Sequence, residues 1–396
     1  MRWMISIVPL IVCTLLFAAG KGSDAPVNDK DYYGDTASND PVFVSFISEG
    51  SNLNRSTYTL KELDMVVREN RNTEFVLGES KYGQKINAYY IPGTSHQKAL
   101  VIAGVHGSEL SAIDVACRLT NELLQGQQPY YSVIIVPALF PENAVKAISE
   151  PEQIGSTMNV GRYSYPDAVD PNRQMPSPGK AFDENNCTDH VGRKIEQENQ
   201  LLLKLIEVFK PQRVANIHAI RDTSYGGIYA DPRTDHNGLA LGYSTDSILA
   251  VEMALFIHRQ GGNVAGNKLD RSPTALYYKD PQPVAAGLLQ KRNMTGSVLN
   301  AKRGSGVSFG TWGSTAIANE ADTSRNRDAM RIITIEYPGY KRSSDHRTAS
   351  RRTVQQKQTE LFAAAIKEIF LGKYFTEDKS PEMQNGPNYT AMKSRP

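Results

Sequence analysis

Short apolar runs alternate along the chain with longer stretches whose apolar residues recur every three or four positions. Runs of four to eight apolar residues fit buried strands, and the longer period fits one face of a helix. On this reading Leu60 to Glu69 is a short helix, strands fall at about 73–78, 84–91 and 99–105, and a helix follows at about 109–125. Ser132 to Leu139 is a strand. Pro141 to Asn186 is rich in Pro, Gly, Asn and Ser and reads as an insert without regular structure, which inside a compact domain is usually functional. A helix at about 191–209 turns Leu201, Leu202, Leu205, Ile206 and Phe209 inward and Glu196, Glu198 and Lys204 outward. Val214 to Ile217 is a strand, Asp246 to Gln260 a helix, Ile332 to Ile335 a strand, and about 353–371 the closing helix. Strands alternating with helices predict an α/β fold with a mixed, mostly parallel twisted sheet and helices on both faces. No internal repeat is visible.

The ends of the chain differ from this pattern. Met1-Arg2, the apolar stretch Trp3 to Ala19 and the small residues Ala18-Ala19-Gly20 form a secretory signal pattern over residues 1–20. An uncleaved anchor is the alternative, but Pro9 in mid-run and the small residues at its end favour cleavage. The expected location is therefore secreted or periplasmic, without stable membrane insertion after cleavage. Residues 21–41 read as a flexible polar linker, 42–375 as one domain, and 376–396, with Pro381, Pro387 and Pro396, as a disordered tail.

Composition narrows the class of partner. The chain has 396 residues, 40% of them hydrophobic, and a formal net charge of +2, enough to bury a full core. Near-neutral charge with no basic run interleaved with aromatics argues against nucleic acid. The arginine-rich piece from Lys341 to Arg352 reads as a solvated loop and helix start. Cys117 and Cys187 make no disulfide framework; Cys117 packs as a small core residue, with a single bridge between the two as the alternative.

The chemistry sits where apolar runs end. Ala99 to Val105 leads into His106-Gly107-Ser108-Glu109, Arg213 to Ile217 delivers His218, and Arg331 to Ile335 delivers Glu336. Ligands of open α/β sheets bind beyond the carboxyl ends of strands, so these placements converge on one edge. A catalytic zinc keeps three His/Glu-type ligands and one open position for water. His106, Glu109 and His218 supply three ligands for one Zn2+ ion, and Glu336 is the carboxylate outside the coordination sphere that takes the proton of a bound water. The loop Asp170-Pro-Asn-Arg-Gln-Met-Pro176 sets an amide beside a guanidinium whose planar fork suits a carboxylate. The Asp231-Pro-Arg233 segment reads as a turn, with pocket lining as the alternative.

Taken in order, HGSE, DPNRQMP, NIH and TIEYPG resemble the zinc carboxypeptidase family, near its bacterial cell-wall peptide branch and the aspartoacylase-type deacylases. The resemblance runs from about Phe75 to about Phe370 and includes Leu77 to Gly83 followed by Ile86, similar to that family's Gly-x-Ser-x-x-Gly hairpin. It implies that His106, Glu109 and His218 bind zinc and that Glu336 acts as general base and then general acid. It also implies that Asn172 and Arg173 grip the substrate's terminal carboxylate, and that Arg162 steadies the carbonyl oxygen as it becomes anionic. Gln174-Met175 departs from the family's usual Asn and aromatic, and no tyrosine in the stretch before Glu336 matches the one many peptidase members place over the substrate. The implied substrate is a peptide, including a cell-wall peptide, or a small N-acyl amino acid, cleaved at an amide bond next to a free carboxylate.

Two rival readings remain. Gly306-Val307-Ser308-Phe309-Gly310 matches a nucleophile elbow, with Asp322, Asp328 or Asp345 and then His346 behind it in hydrolase order. An elbow needs a buried strand running into it, whereas Asn300 to Ser305 is polar. The second rival is a binding protein that holds metal or substrate without turnover.

Overall fold

The computed structural model describes residues 52–154, 160–163, 169–241, 244–269 and 305–373. The expected signal segment, linker and terminal tail lie outside these residues. Eight strands form one sheet: β1 (Asn54–Thr59), β2 (Thr73–Glu79), β3 (Lys85–Ile91), β4 (Lys98–Ala103), β5 (Ser132–Val136), β6 (Arg213–Ile220), β7 (Gly227–Ala230) and β8 (Arg331–Pro338). Their spatial order is β1-β2-β3-β5-β4-β6-β8-β7. The ladders β1–β2, β4–β5, β4–β6 and β6–β8 are parallel, and β2–β3, β3–β5 and β7–β8 antiparallel, so the sheet is mixed and mostly parallel as expected.

Among the described residues the α-helices are α1 (Leu63–Glu69), α2 (Leu110–Gln125), α3 (Pro141–Ser149), α4 (Gln197–Phe209), α5 (Ser244–Arg259), α6 (Phe309–Gly313) and α7 (Ala349–Ala365). They cover both faces, which is why the central strands read as unbroken apolar runs in the sequence. The two-residue period of the strands divides the core. Val101, Ala103, Ala215, Ile217, Ile333 and Ile335 pack with residues of α2, α5 and α7, among them Ala116, Met253 and Phe362. Leu100, Ile102, Val214 and Ile332 pack with α1, α4 and α6 through Val66, Leu202 and Phe309. Truncating one fully buried side chain, such as Leu100→Ala, costs about 2–5 kcal/mol by the usual transfer and cavity effects.

The structure corrects several expectations. The segment read as irregular begins with α3, whose Pro141 occupies the first helical turn, where a missing N–H costs nothing. Ala144 and Ala147 of α3 then bury against Leu110 and Ile113 of α2. Strands β1 and β7, at the two edges of the sheet, were not expected: β1 alternates half-buried and exposed positions without an apolar run, and β7 has only four residues. Glu196 and Glu198, expected to face outward, are both buried, because the turn between β2 and β3 packs over the start of α4. Cys117 and Cys187 are both free thiols, so the alternative of a bridge between them does not hold. No helix among the described residues is long and apolar enough to cross a membrane.

Candidate metal centre

Backbone geometry at the ends of β4, β6 and β8 assembles the site. After β4 the chain turns at Gly104, whose φ of 66° and an imagined Cβ only 2.8 Å from Ala138 Cα leave room for no side chain. Gly107 lets the His106–Glu109 turn press onto α3, since a Cβ there would lie 2.3 Å from the Ala144 backbone nitrogen. Glu109 occupies the N-cap position of α2 yet makes no capping bond with its side chain, which reaches instead toward two imidazoles. On β6, Asn216 and His218 share the face of Val214, and in the parallel register they stand opposite Thr334 and Glu336 of β8. All four expected groups therefore meet at the carboxyl ends of adjacent parallel strands.

The distances are short and the charges interleaved. His106 Nδ1 lies 2.9 Å from Glu109 Oε1, and His218 Nδ1 lies 2.9 Å from Glu109 Oε2. The His106 and His218 ring centroids are 5.1 Å apart. One potential ligand atom from each of His106, Glu109 and His218 falls within 4.8 Å of the others, and all three residues are buried. On its far side His106 Nε2 is 2.8 Å from Asp170 Oδ1. A ring held between two carboxylates either carries a proton on each nitrogen or keeps Nε2–H for Asp170 and offers the Nδ1 lone pair to a cation shared with Glu109. Two imidazoles and a carboxylate on rigid strand ends are a donor set that fits a divalent transition metal.

The electrostatics mark these groups as a tightly coupled charged cluster. Burial opposes ionisation of Glu109, but His106 and His218 outweigh it and hold its carboxyl well below the usual carboxylate range. Burial would lower His106, and the Glu109 charge with the Asp170 hydrogen bond raises it instead. Asp170, also opposed by burial, is lowered to about 2 by its hydrogen bond with His106 and by neighbouring positive charge. Glu336 behaves in the opposite way: burial first, and then the Glu109 charge, raise its carboxyl, although His218, His106 and Arg162 pull against that shift. A carboxyl raised toward neutrality beside ionised groups is the environment of a proton shuttle.

The remaining expected residues divide. Arg162 is brought directly to the centre, donating from Nη1 to Glu109 Oε1 at 2.7 Å. Asn172 reaches it through Nδ2, 3.4 Å from His218 Nε2, while its Oδ1 accepts the Phe309 N–H at 3.0 Å. Arg173 donates from Nη1 to the Asn172 carbonyl at 2.8 Å, bracing its own loop, and adds positive charge near Asp170. Ser308 is no elbow. Its hydroxyl accepts the Thr311 N–H as the N-cap of α6, and Gly306 packs against the Arg173 carbonyl.

Four residues near the centre carried no assigned role. Asp170 orients His106, and Asn216 lies against His218 Nε2 at 2.9 Å. Tyr340 is half-buried within electrostatic reach of Glu109, Arg162 and Glu336, whereas Tyr337 turns to the opposite face and packs on Phe362. Asp231, read as part of a turn, accepts the Thr334 hydroxyl at 2.7 Å, and burial pushes it up to about 6. For Asn216 the signal was available: two residues before His218 on a strand means the same face.

No family model matches the chain, and no curated protein matches it. Among solved structures it is similar to carboxypeptidase A from Helicoverpa armigera, at 16% identity over 78% of this chain and 73% of that one, with a TM-score of 0.42. It is also similar to the murein-tripeptide amidase MpaA of Escherichia coli O157, at 16% identity over 74% and 91% of the two chains, with a TM-score of 0.36. A succinylglutamate desuccinylase/aspartoacylase candidate from Shewanella frigidimarina is similar at 11% identity over 76% and 72%, with a TM-score of 0.38. At these scores none of the three decides what the present site does.

Proposed function

We propose that the chain is an exported, zinc-dependent hydrolase that cleaves an amide bond next to a free carboxylate in a peptide. The observation that carries this reading is the buried His106–Glu109–His218 group, with Glu336 standing opposite His218 in the β6–β8 register. His106, Glu109 and His218 would hold the ion. When bound, it would polarise the scissile carbonyl and lower the pKa of a water in its open position. Glu336, raised by burial, takes the attacking water's proton and delivers it to the leaving nitrogen. Arg162, about three-quarters buried as a side chain, supplies a fixed positive charge for the developing oxyanion. Asn172 and Arg173 receive the substrate's carboxylate at the edge of the centre.

Export rests on the residue 1–20 pattern and directs the reading toward peptides outside the cytoplasm, including cell-wall stem peptides. The test is metal analysis of the purified chain, followed by turnover of dipeptides, muropeptides and N-acyl amino acids with and without chelator. Zinc at one per chain and chelator-sensitive release of a C-terminal residue are expected. Turnover of N-acyl amino acids alone would move the assignment to a deacylase, and turnover that survives chelation would remove the metal from the reaction.

A further inference from the structure

Asn216 is an anomaly in a strand. It is 1% exposed in the middle of β6, between apolar residues, and buried amides are tolerated only where hydrogen bonds repay their desolvation. Among the described residues its side chain bonds only the ring of His218, with Nδ2 2.9 Å from Nε2, and its Oδ1 is buried with no partner there. The two ends of an amide are told apart only by what they meet, and half a turn about its last torsion puts Oδ1 where Nδ2 was. With Nδ2 at the ring, Oδ1 meets no donor, so no side-chain contact among the described residues besides the ring holds the amide in that orientation, and the ring decides it.

The ring's own chemistry then selects one arrangement. His218 presents Nδ1 to Glu109, 2.9 Å away, and when Nδ1 gives its lone pair to a cation the ring's single proton must sit on Nε2. That N–H needs an acceptor in a buried place. Asn172 cannot serve: its Oδ1 is held by the Phe309 N–H at 3.0 Å, so the end turned toward His218, 3.4 Å off, is a donor. His106 has a carboxylate for the same task, Asp170, at 2.8 Å from its Nε2. We infer that Asn216 is the positioning residue for His218, accepting the Nε2–H through Oδ1 and thereby holding the ring in the tautomer and orientation that direct Nδ1 at the metal. The two imidazoles are thus served unequally, one by a charged acceptor and one by a neutral amide. Asn216 touches neither substrate nor reacting atoms.

This inference rests on the metal-site reading, and zinc affinity measured by chelator competition separates the two. Asn216→Ala is expected to weaken zinc binding about 10–100-fold, the usual effect of losing an outer partner of a ligating histidine. Asn216→Asp, which places a permanent acceptor at the same point, is expected to bind zinc at least as tightly as the parent. In the zinc-loaded parent, the His218 Nε2–H resonance should be present and protected from exchange with solvent. It should exchange freely in Asn216→Ala. That measurement on the parent alone keeps the inference testable if the alanine variant does not fold. Should the parent bind no zinc, the site reading itself fails. Parent affinity in Asn216→Ala, equal losses in the Ala and Asp variants, or an Nε2–H that exchanges freely in the zinc-loaded parent would overturn the role of Asn216 while leaving the metal site intact.

Discussion

Two buried groups of acids in this protein are treated in opposite ways. In the candidate centre, Glu109 meets His106, His218 and Arg162, and Asp170 meets His106, so these two carboxylates each face a base and are held ionised. In the second group, Glu142 and Glu198 clamp the turn between β2 and β3. Glu142 accepts the Ser80 hydroxyl, and Glu198 accepts the Lys81 N–H at 3.0 Å. Here the nearest charges are other acids, Glu142 and Glu196 around Glu198, and the Lys81 amine lies instead by Glu196 at 3.6 Å. Burial pushes Glu198 up to about 7 and raises Glu142. Depth alone does not set the charge of a carboxyl; its neighbours do. The first group is built to keep charge for a cation, whereas in the second burial favours the protonated form.

The contrast can be broken most severely at Glu109. Glu109→Gln removes the carboxylate that lies between the two imidazoles, and metal analysis of the variant is expected to find zinc uptake abolished, with turnover lost as a result. Retained stoichiometric zinc would mean that the acid is not a ligand. Glu336→Gln should keep zinc and lower kcat by about 10²–10⁴-fold, the range for loss of a general acid–base group. A parent protein that shows no turnover on any substrate while binding zinc would instead be the non-catalytic binder. Asp170→Asn keeps the shape but weakens the acceptor of His106 Nε2–H, and zinc affinity is expected to fall about 10–100-fold.

The smallest effect sharpens the other side of the comparison. With Glu198 raised to about 7 in the folded protein, and near its ordinary value of about 4.3 when unfolded, the folded form binds an extra proton between those values. Stability therefore falls as pH rises from about 4.3 through about 7, because the unfolded chain binds fewer protons there. Glu198→Gln keeps an acceptor for the Lys81 N–H and removes that titration. Denaturant unfolding should show a flatter pH profile and a gain of about 1–3 kcal/mol at pH 8. An unchanged profile would place the charge change elsewhere.

Much of the architecture could be read directly from the residues. The apolar runs before His106, His218 and Glu336 are β4, β6 and β8, and their shared edge follows from parallel pairing of buried strands. Elements that hide their pattern were harder to see. α3 opens with Pro141 and an asparagine that count as loop residues until their place in the first turn is known, and β7 has only four residues. Glu198 obeys a helix's polar spacing yet is covered by a turn from more than a hundred residues earlier, which no local pattern can report.

By itself the sequence determined which side chains stand at strand ends and on which strand face, because the periods of strand and helix are set by local backbone geometry. It thereby determined the set His106, Glu109, His218 and Glu336. Only the tertiary structure decided what each of these touches: Asp170 behind one imidazole, Asn216 behind the other, Arg162 across Glu109. Those contacts join distant segments, and hydrogen-bond direction and burial, which govern tautomer and charge, exist only once the segments have packed.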